Sequence, residues 1–261
     1  MMLKEAKVLT LGESTNPKAR TTWPSFRVHF DDDGYVTYLN LGSFRLRKGI
    51  VGLDAFRMFS KLSTLSLAGT DSPLSDLKVI LDLITSTIEC LYLGGNGYQT
   101  PVTHVLAPWI VSAAQLVKLD LRYNDMDSSG LSSLCDGLVG SNVKSLYLEG
   151  NRISDLAALG KVLECNSCRI QELYLGSNRV HALGAKQLAS CLITNRSLRK
   201  LYLESNNIGT EGALAFVIVL QKVAGEVALE NLFVDNNNID REALKQLAKA
   251  LNECTNIRDL P

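Results

Sequence analysis

Residues 170–178 read I-Q-E-L-Y-L-G-S-N, and the chain keeps returning to that phrase: V-K-S-L-Y-L-E-G-N at 143–151, L-R-K-L-Y-L-E-S-N at 198–206. Ile170, Leu173 and Leu175 are apolar at fixed spacing, and Asn178 closes the unit. In a strand, successive side chains point to opposite faces. Leu173 and Leu175 therefore share a buried face, while Tyr174 points the other way. A chain that repeats a short strand at constant spacing builds by stacking, because no single unit can bury its own apolar face.

Eight phrases start at Val36, Leu62, Ile88, Leu116, Val143, Ile170, Leu198 and Leu229, in steps of 26 to 31 residues. Between them the apolar period lengthens from two to about 3.6. In 240–253, Leu244, Leu247, Ala248 and Leu251 fall on one helical face, with Arg241, Glu242, Lys245 and Lys249 mostly elsewhere. The same reading predicts helices near 50–60, 73–86, 101–113, 129–139, 154–165, 182–194 and 211–224. Ser72-Pro73 reads as an N-cap with proline at the first helical position. Pro108 leaves the helix before Trp109 in doubt or kinked. Asn96, Asn124, Asn151, Asn178, Asn206 and Asn237 close six of the phrases, and their amides are expected to pair with backbone groups where each strand turns away. The first two phrases carry Phe44 and Thr70 at that place.

The phrase L-x-x-L-x-L-x-x-N resembles the leucine-rich repeat consensus. The helix openings narrow the resemblance. Residues 206–220 read N-N-I-G-T-E-G-A-L-A-F-V-I-V-L, 178–192 read N-R-V-H-A-L-G-A-K-Q-L-A-S-C-L and 124–138 read N-D-M-D-S-S-G-L-S-S-L-C-D-G-L. These resemble the ribonuclease-inhibitor-like type over about 36–260; the repeat at 151–163 is shorter and lacks the Gly-Ala step. The resemblance implies an α/β fold, a right-handed curved leucine-rich repeat solenoid with parallel strands on the concave side and helices on the convex side. The expected organisation is an N-terminal cap at 1–35, eight repeats at 36–256 and a truncated phrase, I-R-D-L-P, at 257–261, all in one structural domain. Within the cap, 6–14 is expected as a degenerate strand and 15–24 as loop. Two strand-like runs around D-D-D-G, from Phe26 to Leu39, read as a β-hairpin.

Lys plus Arg and Asp plus Glu both number 27, so the formal net charge is zero, which argues against a dominant attraction to nucleic acid or anionic membrane. The N-terminus has no sustained apolar stretch of the secretory kind, and the apolar run at 213–220 is far too short to span a bilayer. Six scattered cysteines fit reduced thiols better than a disulfide framework. Together these predict a cytoplasmic, reducing location.

No motif calls for a cofactor or a metal. Cys165-Asn-Ser-Cys168 lacks the second ligand pair that zinc requires. Asp235-Asn-Asn-Asn-Ile-Asp240 lacks the glycine and terminal glutamate of a calcium loop, and Asp125-Met-Asp127-Ser-Ser-Gly130 is read the same way. Asp240 reads as a helix N-cap. Gly94-Gly95-Asn96-Gly97 is a repeat turn without a phosphate-loop Lys-Ser/Thr pair. His29, His104 and His181 occupy unrelated segments, so no nucleophile and base can be assigned, and a non-catalytic role is expected.

The outward strand positions carry the functional signal. In the first three repeats they are small and mostly neutral. From the fourth they combine aromatic rings with charges, a composition common at interaction hot spots: Lys118, Asp120, Arg122, Tyr147, Glu149, Glu172, Tyr174, Lys200, Tyr202, Glu204, Phe233 and Asp235. These are the expected partner-binding residues. Tyrosine between the two leucines also supports neighbouring strands, whatever the protein binds. Acids exceed bases from Ser145 onward on this face, which fits a partner with a basic contact patch. The expectation is a protein–protein interaction scaffold or adaptor, a monomer or part of a larger complex, holding its partner on the concave face. Family members suggest two alternatives: a GTPase-activating regulator resembling the Ran activator, and the sensor region of a larger receptor.

Overall fold

The computed structural model describes residues 27–42, 44–84, 86–223 and 227–254. The expected strand at 6–14, loop at 15–24 and truncated phrase at 257–261 fall outside them.

Among the described residues, nine strands form one sheet in chain order: β1 (Arg27–Phe30), β2 (Val36–Asn40), β3 (Thr64–Ser66), β4 (Cys90–Tyr92), β5 (Lys118–Asp120), β6 (Ser145–Tyr147), β7 (Glu172–Tyr174), β8 (Lys200–Tyr202) and β9 (Asn231–Phe233). β1 pairs antiparallel with β2 around the Asp31–Gly34 turn. From β2 onward every pairing is parallel, and the register never slips. Leu39, Leu65, Leu91, Leu119, Leu146, Leu173, Leu201 and Leu232 lie side by side across the sheet. All eight are buried, as are the second leucines of the phrases from Leu41 to Leu203. The result is a curved solenoid with one continuous apolar core between sheet and helices.

Seven α-helices among the described residues close that core on its far side: α1 (Leu74–Ile84), α2 (Pro101–Ser112), α3 (Ser128–Leu138), α4 (Ala157–Glu164), α5 (His181–Cys191), α6 (Gly209–Lys222) and α7 (Arg241–Glu253). α4 is the shortest, in keeping with the short repeat at 151–163. Asp127 and Asp240 cap α3 and α7, accepting from the amides of Gly130 and Ala243.

Two local expectations are corrected, and one doubt is settled. The segment near 50–60 forms a short 3-10 helix, Leu53–Met58, and not an α-helix. Gly52 before it has φ 81°, a left-handed conformation that interrupts the apolar pattern and leaves only six residues for the turn. The doubt over the helix at Pro108 is resolved in its favour, and α2 runs through the proline. Proline in a helix interior costs about 3 kcal/mol. Val102, Leu106, Trp109 and Ile110 are buried on the same helix, and each buried side chain of this size contributes about 1.5–3 kcal/mol. The indole N–H of Trp109 also donates to the Leu81 carbonyl at 3.0 Å, tying α2 to α1. Finally, Ser72 does not cap α1 with its side chain. Its hydroxyl lies 2.7 Å from the Tyr98 hydroxyl and 3.2 Å from Thr70 Oγ1, and the Pro73 carbonyl accepts from the amides of Asp76 and Leu77.

The asparagines form a ladder that ties each repeat to its neighbours. Asn151 donates from Nδ2 to the carbonyls of Leu148 and Leu121, and its Oδ1 accepts from the amides of Asn124 and Met126. Asn178, Asn206 and Asn237 repeat the donor pattern, reaching back to Leu148, Leu175 and Leu203. Thr70 is the short substitute, and its hydroxyl donates to the Leu67 carbonyl of its own repeat at 2.8 Å. The residue before each ladder position adopts positive φ, whether glycine (Gly95, 71°; Gly150, 67°) or not (Tyr123, 52°; Ser177, 55°; Ser205, 56°). This left-handed step turns the strand out of the sheet and aims the asparagine inward.

Candidate functional site

The parallel register brings the outward side chains of β5–β9 into three rows. The first is Lys118, Ser145, Glu172, Lys200 and Asn231; the second is Asp120, Tyr147, Tyr174, Tyr202 and Phe233. The third, just past the strands, is Arg122, Glu149, Gly176, Glu204 and Asp235, held in step by bonds such as Tyr123 N–H to Glu149 C=O and Ser177 N–H to Glu204 C=O. Every residue singled out from the sequence therefore lies on one surface.

The second row is a column of rings. Tyr147 and Tyr174 stack at 4.3 Å and 12°, Tyr174 and Tyr202 at 4.2 Å and 9°, and Tyr202 and Phe233 at 4.4 Å and 6°. The spacing is slightly below the 4.7–4.9 Å between strands, so the rings lean into face-to-face contact. Four repeats thus present a flat aromatic strip, half-buried along its length.

Charges on the two sides of the strip are handled differently. In the first row Lys200 Nζ pairs with Glu172 Oε1 at 2.9 Å, and Ser145 Oγ donates to Glu172 Oε2 at 3.1 Å. Burial alone would raise the Glu172 pKa, but these bonds outweigh it and the net shift is downward. Burial also raises the Tyr174 hydroxyl pKa, helped by the charge on Glu172. At the start of the second and third rows, Asp120 is almost fully buried and accepts two bonds from the Arg122 guanidinium, the shorter at 2.7 Å, and a third from the Arg122 amide. The same guanidinium lies 5.3 Å from the Tyr147 ring centre.

Beyond Arg122, the third row holds acids outside the ion pairs of the described residues. Among the described residues, Glu149, Glu204 and Asp235 enter no salt bridge. Glu149 Oε2 is sealed from solvent with no hydrogen bond. Burial raises the Glu149 pKa; its own amide and the charge on Arg122 pull it back, while Asp120 and Glu204 push it up. Burial raises Glu204 as well, with Asp235 adding to the shift. A carboxylate whose folded pKa is raised contributes most to stability below its unfolded pKa, and that contribution is lost as pH rises through the folded value. Glu149→Gln, which cannot ionise, is therefore expected to be more stable than the parent at neutral pH. The gap should close as pH falls below the ordinary glutamate value of 4.5. Urea midpoints across that range measure it, and a variant less stable at neutral pH than in acid, relative to the parent, would contradict it.

Two further residues of this surface were not among the sequence candidates. Tyr92 lies in the second row but is separated from the other rings by Asp120; burial pushes its hydroxyl pKa up to about 12. Gly176 lies between the two glutamates. A Cβ there would sit 3.3 Å from Glu204 Oε2 and 3.7 Å from Glu149 Cγ. The one available signal was a residue without a side chain in a row of charged ones.

Away from the strip, Cys165 and Cys168 close a turn beside residues 194–197, around a cavity of about 200 Å³. Cys165 Sγ lies 3.1 Å from the Ser167 hydroxyl, and the Ser197 hydroxyl donates to Cys168 Sγ at 3.5 Å. Among the described residues, no three His, Cys, Asp or Glu side chains converge as a metal site would require. Among the same residues, no helix is long and apolar enough to cross a membrane.

Comparison with known proteins adds a family description and relatives. The "Leucine Rich repeat" family matches residues 115–135 and 194–217. The chain is 30% identical over 195 residues to Protein CARMIL of Dictyostelium discoideum, covering 68% of this chain and 18% of that protein. It is 30% identical over 192 residues to NACHT, LRR and PYD domains-containing protein 3 of Bos taurus, covering 70% and 18%. It is also 30% identical over 158 residues to a protein phosphatase 1 regulatory subunit 37 homolog of Caenorhabditis briggsae, covering 58% and 17%. The chain thus spans under a fifth of the length of each of these relatives. No catalytic family is indicated.

Proposed function

Because this chain is a leucine-rich repeat protein, we propose that it serves as a non-catalytic scaffold or adaptor that holds a protein partner on its concave face, over repeats four to eight. The observation that carries the reading is the unbroken column from Tyr147 to Phe233 on an open sheet face. Stacked rings keep little conformational freedom, so a partner that covers them gains contact area at small entropic cost. Lys118, Asp120, Arg122, Glu149, Glu172, Lys200, Glu204 and Asp235 frame the strip and would set orientation and specificity. A relative named as a phosphatase regulatory subunit is consistent with a role exerted by binding. A reducing, intracellular location belongs to the same proposal. Its support is that Cys135, Cys191 and Cys254 are buried as free thiols, the first two with pKa values pushed up to about 12 by burial.

The test is site-specific photo-crosslinking. A benzophenone side chain at position 202, in the strip, is expected to trap a discrete protein species. The same group at position 183, exposed on α5, is expected to trap none. Equal trapping at both positions, or trapping at 183 alone, would overturn the assignment of the face.

A further inference from the structure

Cys165 and Cys168 stand apart from the docking face, where the chain returns from α4 to β7. The amide of Cys168 donates to the Cys165 carbonyl at 2.9 Å, which closes a four-residue turn directly after the helix. Such a turn holds its first and last Cα atoms within about 7 Å, and a disulfide joins Cα atoms about 4.4–6.8 Å apart. Both thiols are partly exposed, whereas Cys135, Cys191 and Cys254 are buried. Cys165 Sγ lies 3.1 Å from the Ser167 hydroxyl, and Cys168 Sγ accepts from the Ser197 hydroxyl at 3.5 Å. Through its hydroxyl and its amide, Ser167 lowers the Cys165 pKa, which favours the thiolate; burial does the opposite at Cys135 and Cys191. The pair also lines the cavity of about 200 Å³. Asn195 and Arg196 fix the wall of that cavity. Asn195 Nδ2 donates to the Leu163 carbonyl at 2.7 Å, and the Arg196 guanidinium donates to the carbonyls of Ile193 and Asn195. The space beside the thiols is therefore held open by the neighbouring repeat.

We propose that Cys165 and Cys168 form a redox-active dithiol that exchanges with small-molecule disulfides, Cys165 as the attacking thiol and Cys168 as the resolving one. The Cys165 thiolate attacks one sulfur of the incoming disulfide. That S–S bond breaks, a mixed disulfide forms on Cys165 and the first thiolate leaves. Cys168 then loses its proton and attacks Cys165 Sγ, which closes the protein disulfide and expels the second thiolate. The two leaving thiolates take up the two thiol protons. The dithiol is oxidised by two electrons and the small disulfide is reduced to two thiols. The roles follow from the surroundings: Cys165 has the donors that stabilise a thiolate, and Cys168 lies across the turn within reach of the mixed disulfide. Excess small thiol runs the sequence backwards. In a reducing compartment the pair thus rests as the dithiol and oxidises transiently, as disulfides there usually do. Closing the bond withdraws Cys168 from Ser197, a contact that joins two repeats.

The probe is glutathione disulfide, added to the folded chain, with the remaining thiols then alkylated and the digest read by mass spectrometry. The parent should lose two hydrogens as a bond between Cys165 and Cys168, and excess reduced glutathione should restore them. Cys168→Ser should instead retain one glutathione on Cys165, because no resolving thiol is left. Cys165→Ser should take up glutathione at Cys168 more slowly by about tenfold or more. Cys135, Cys191 and Cys254 should stay unmodified, which separates the site from modification of unfolded chains. A parent that collects glutathione on Cys165 without closing the bond, or that reacts at neither cysteine, would overturn the dithiol. Uptake at Cys168 in the Cys165→Ser variant as fast as at Cys165 in the Cys168→Ser variant would overturn the assignment of roles. Modification spread equally over the three buried cysteines would remove the site altogether. None of these readouts involves the aromatic strip, so the dithiol stands or falls independently of the docking face.

Discussion

Leu175→Ala is expected to lower stability by about 2–5 kcal/mol, because the side chain is fully buried and its loss opens a cavity that the surroundings fill only in part. Leu175 sits between Leu148 and Leu203, the equivalent leucines of the flanking repeats, all inaccessible to solvent. A solenoid's stability is carried largely by contacts between adjacent repeats, so a cavity here weakens two interfaces together. Tyr174→Ala, one residue away, removes a half-exposed ring that stacks on two others and should cost clearly less. Urea denaturation of the two variants measures the difference. Equal losses at 174 and 175 would mean that the face assignment is inverted.

Asn151→Ala is expected to cost about 3 kcal/mol or more. Its amide holds two carbonyls and two backbone amides, drawn from its own repeat and the preceding one. A buried polar group left unpaired costs about 1–3 kcal/mol, and alanine strands several at once. Asn96→Ala is the matched control. Its site is partly open, so water can replace some of the lost bonds, and a smaller loss is expected. A loss at 151 no greater than at 96 would show that the ladder is not a principal support.

The repeating phrase made the architecture readable, because two constraints coincide in it. Leu173 and Leu175 must share a face in any strand, and a fixed step between phrases lets each strand bond to the next in the same register. That reasoning places Leu65, Leu91, Leu119 and their counterparts in one layer, where the structure has them. It fails where a local choice is settled by packing. Pro108 put the helix in doubt, but Trp109 and Ile110 are buried deeply enough to hold α2 together. Residues 53–58 read as helix, yet Gly52 turns left-handed and the segment tightens to a 3-10 turn. The left-handed step before each ladder position was legible at Gly69, Gly95, Gly150 and Asn236; Tyr123 and Ser177 take the same conformation without any sequence mark.

The outward residues were legible by row, but their energetics were not. The alternation of Tyr147, Tyr174, Tyr202 and Phe233 already implied a stripe. That Glu172 finds Lys200 while Glu149 finds no cation depends on side-chain directions between strands 27 or more residues apart. Gly176 carries meaning only once both neighbouring glutamates are seen to converge on it.

The claim that the strip from Tyr147 to Phe233 is the docking surface is tested most directly by partner affinity. The protein trapped through position 202, once purified, is titrated calorimetrically against two folded variants. One is Tyr147→Ala with Tyr174→Ala and Tyr202→Ala; the other is Thr64→Ala with Ser66→Ala, on the neutral repeats. The triple variant should lose about 2 kcal/mol or more of binding free energy, the loss expected of hot-spot residues, while the Thr64/Ser66 variant binds as the parent does. A partner that leaves the Thr64/Ser66 variant yet holds the triple variant at parental affinity would contradict the account.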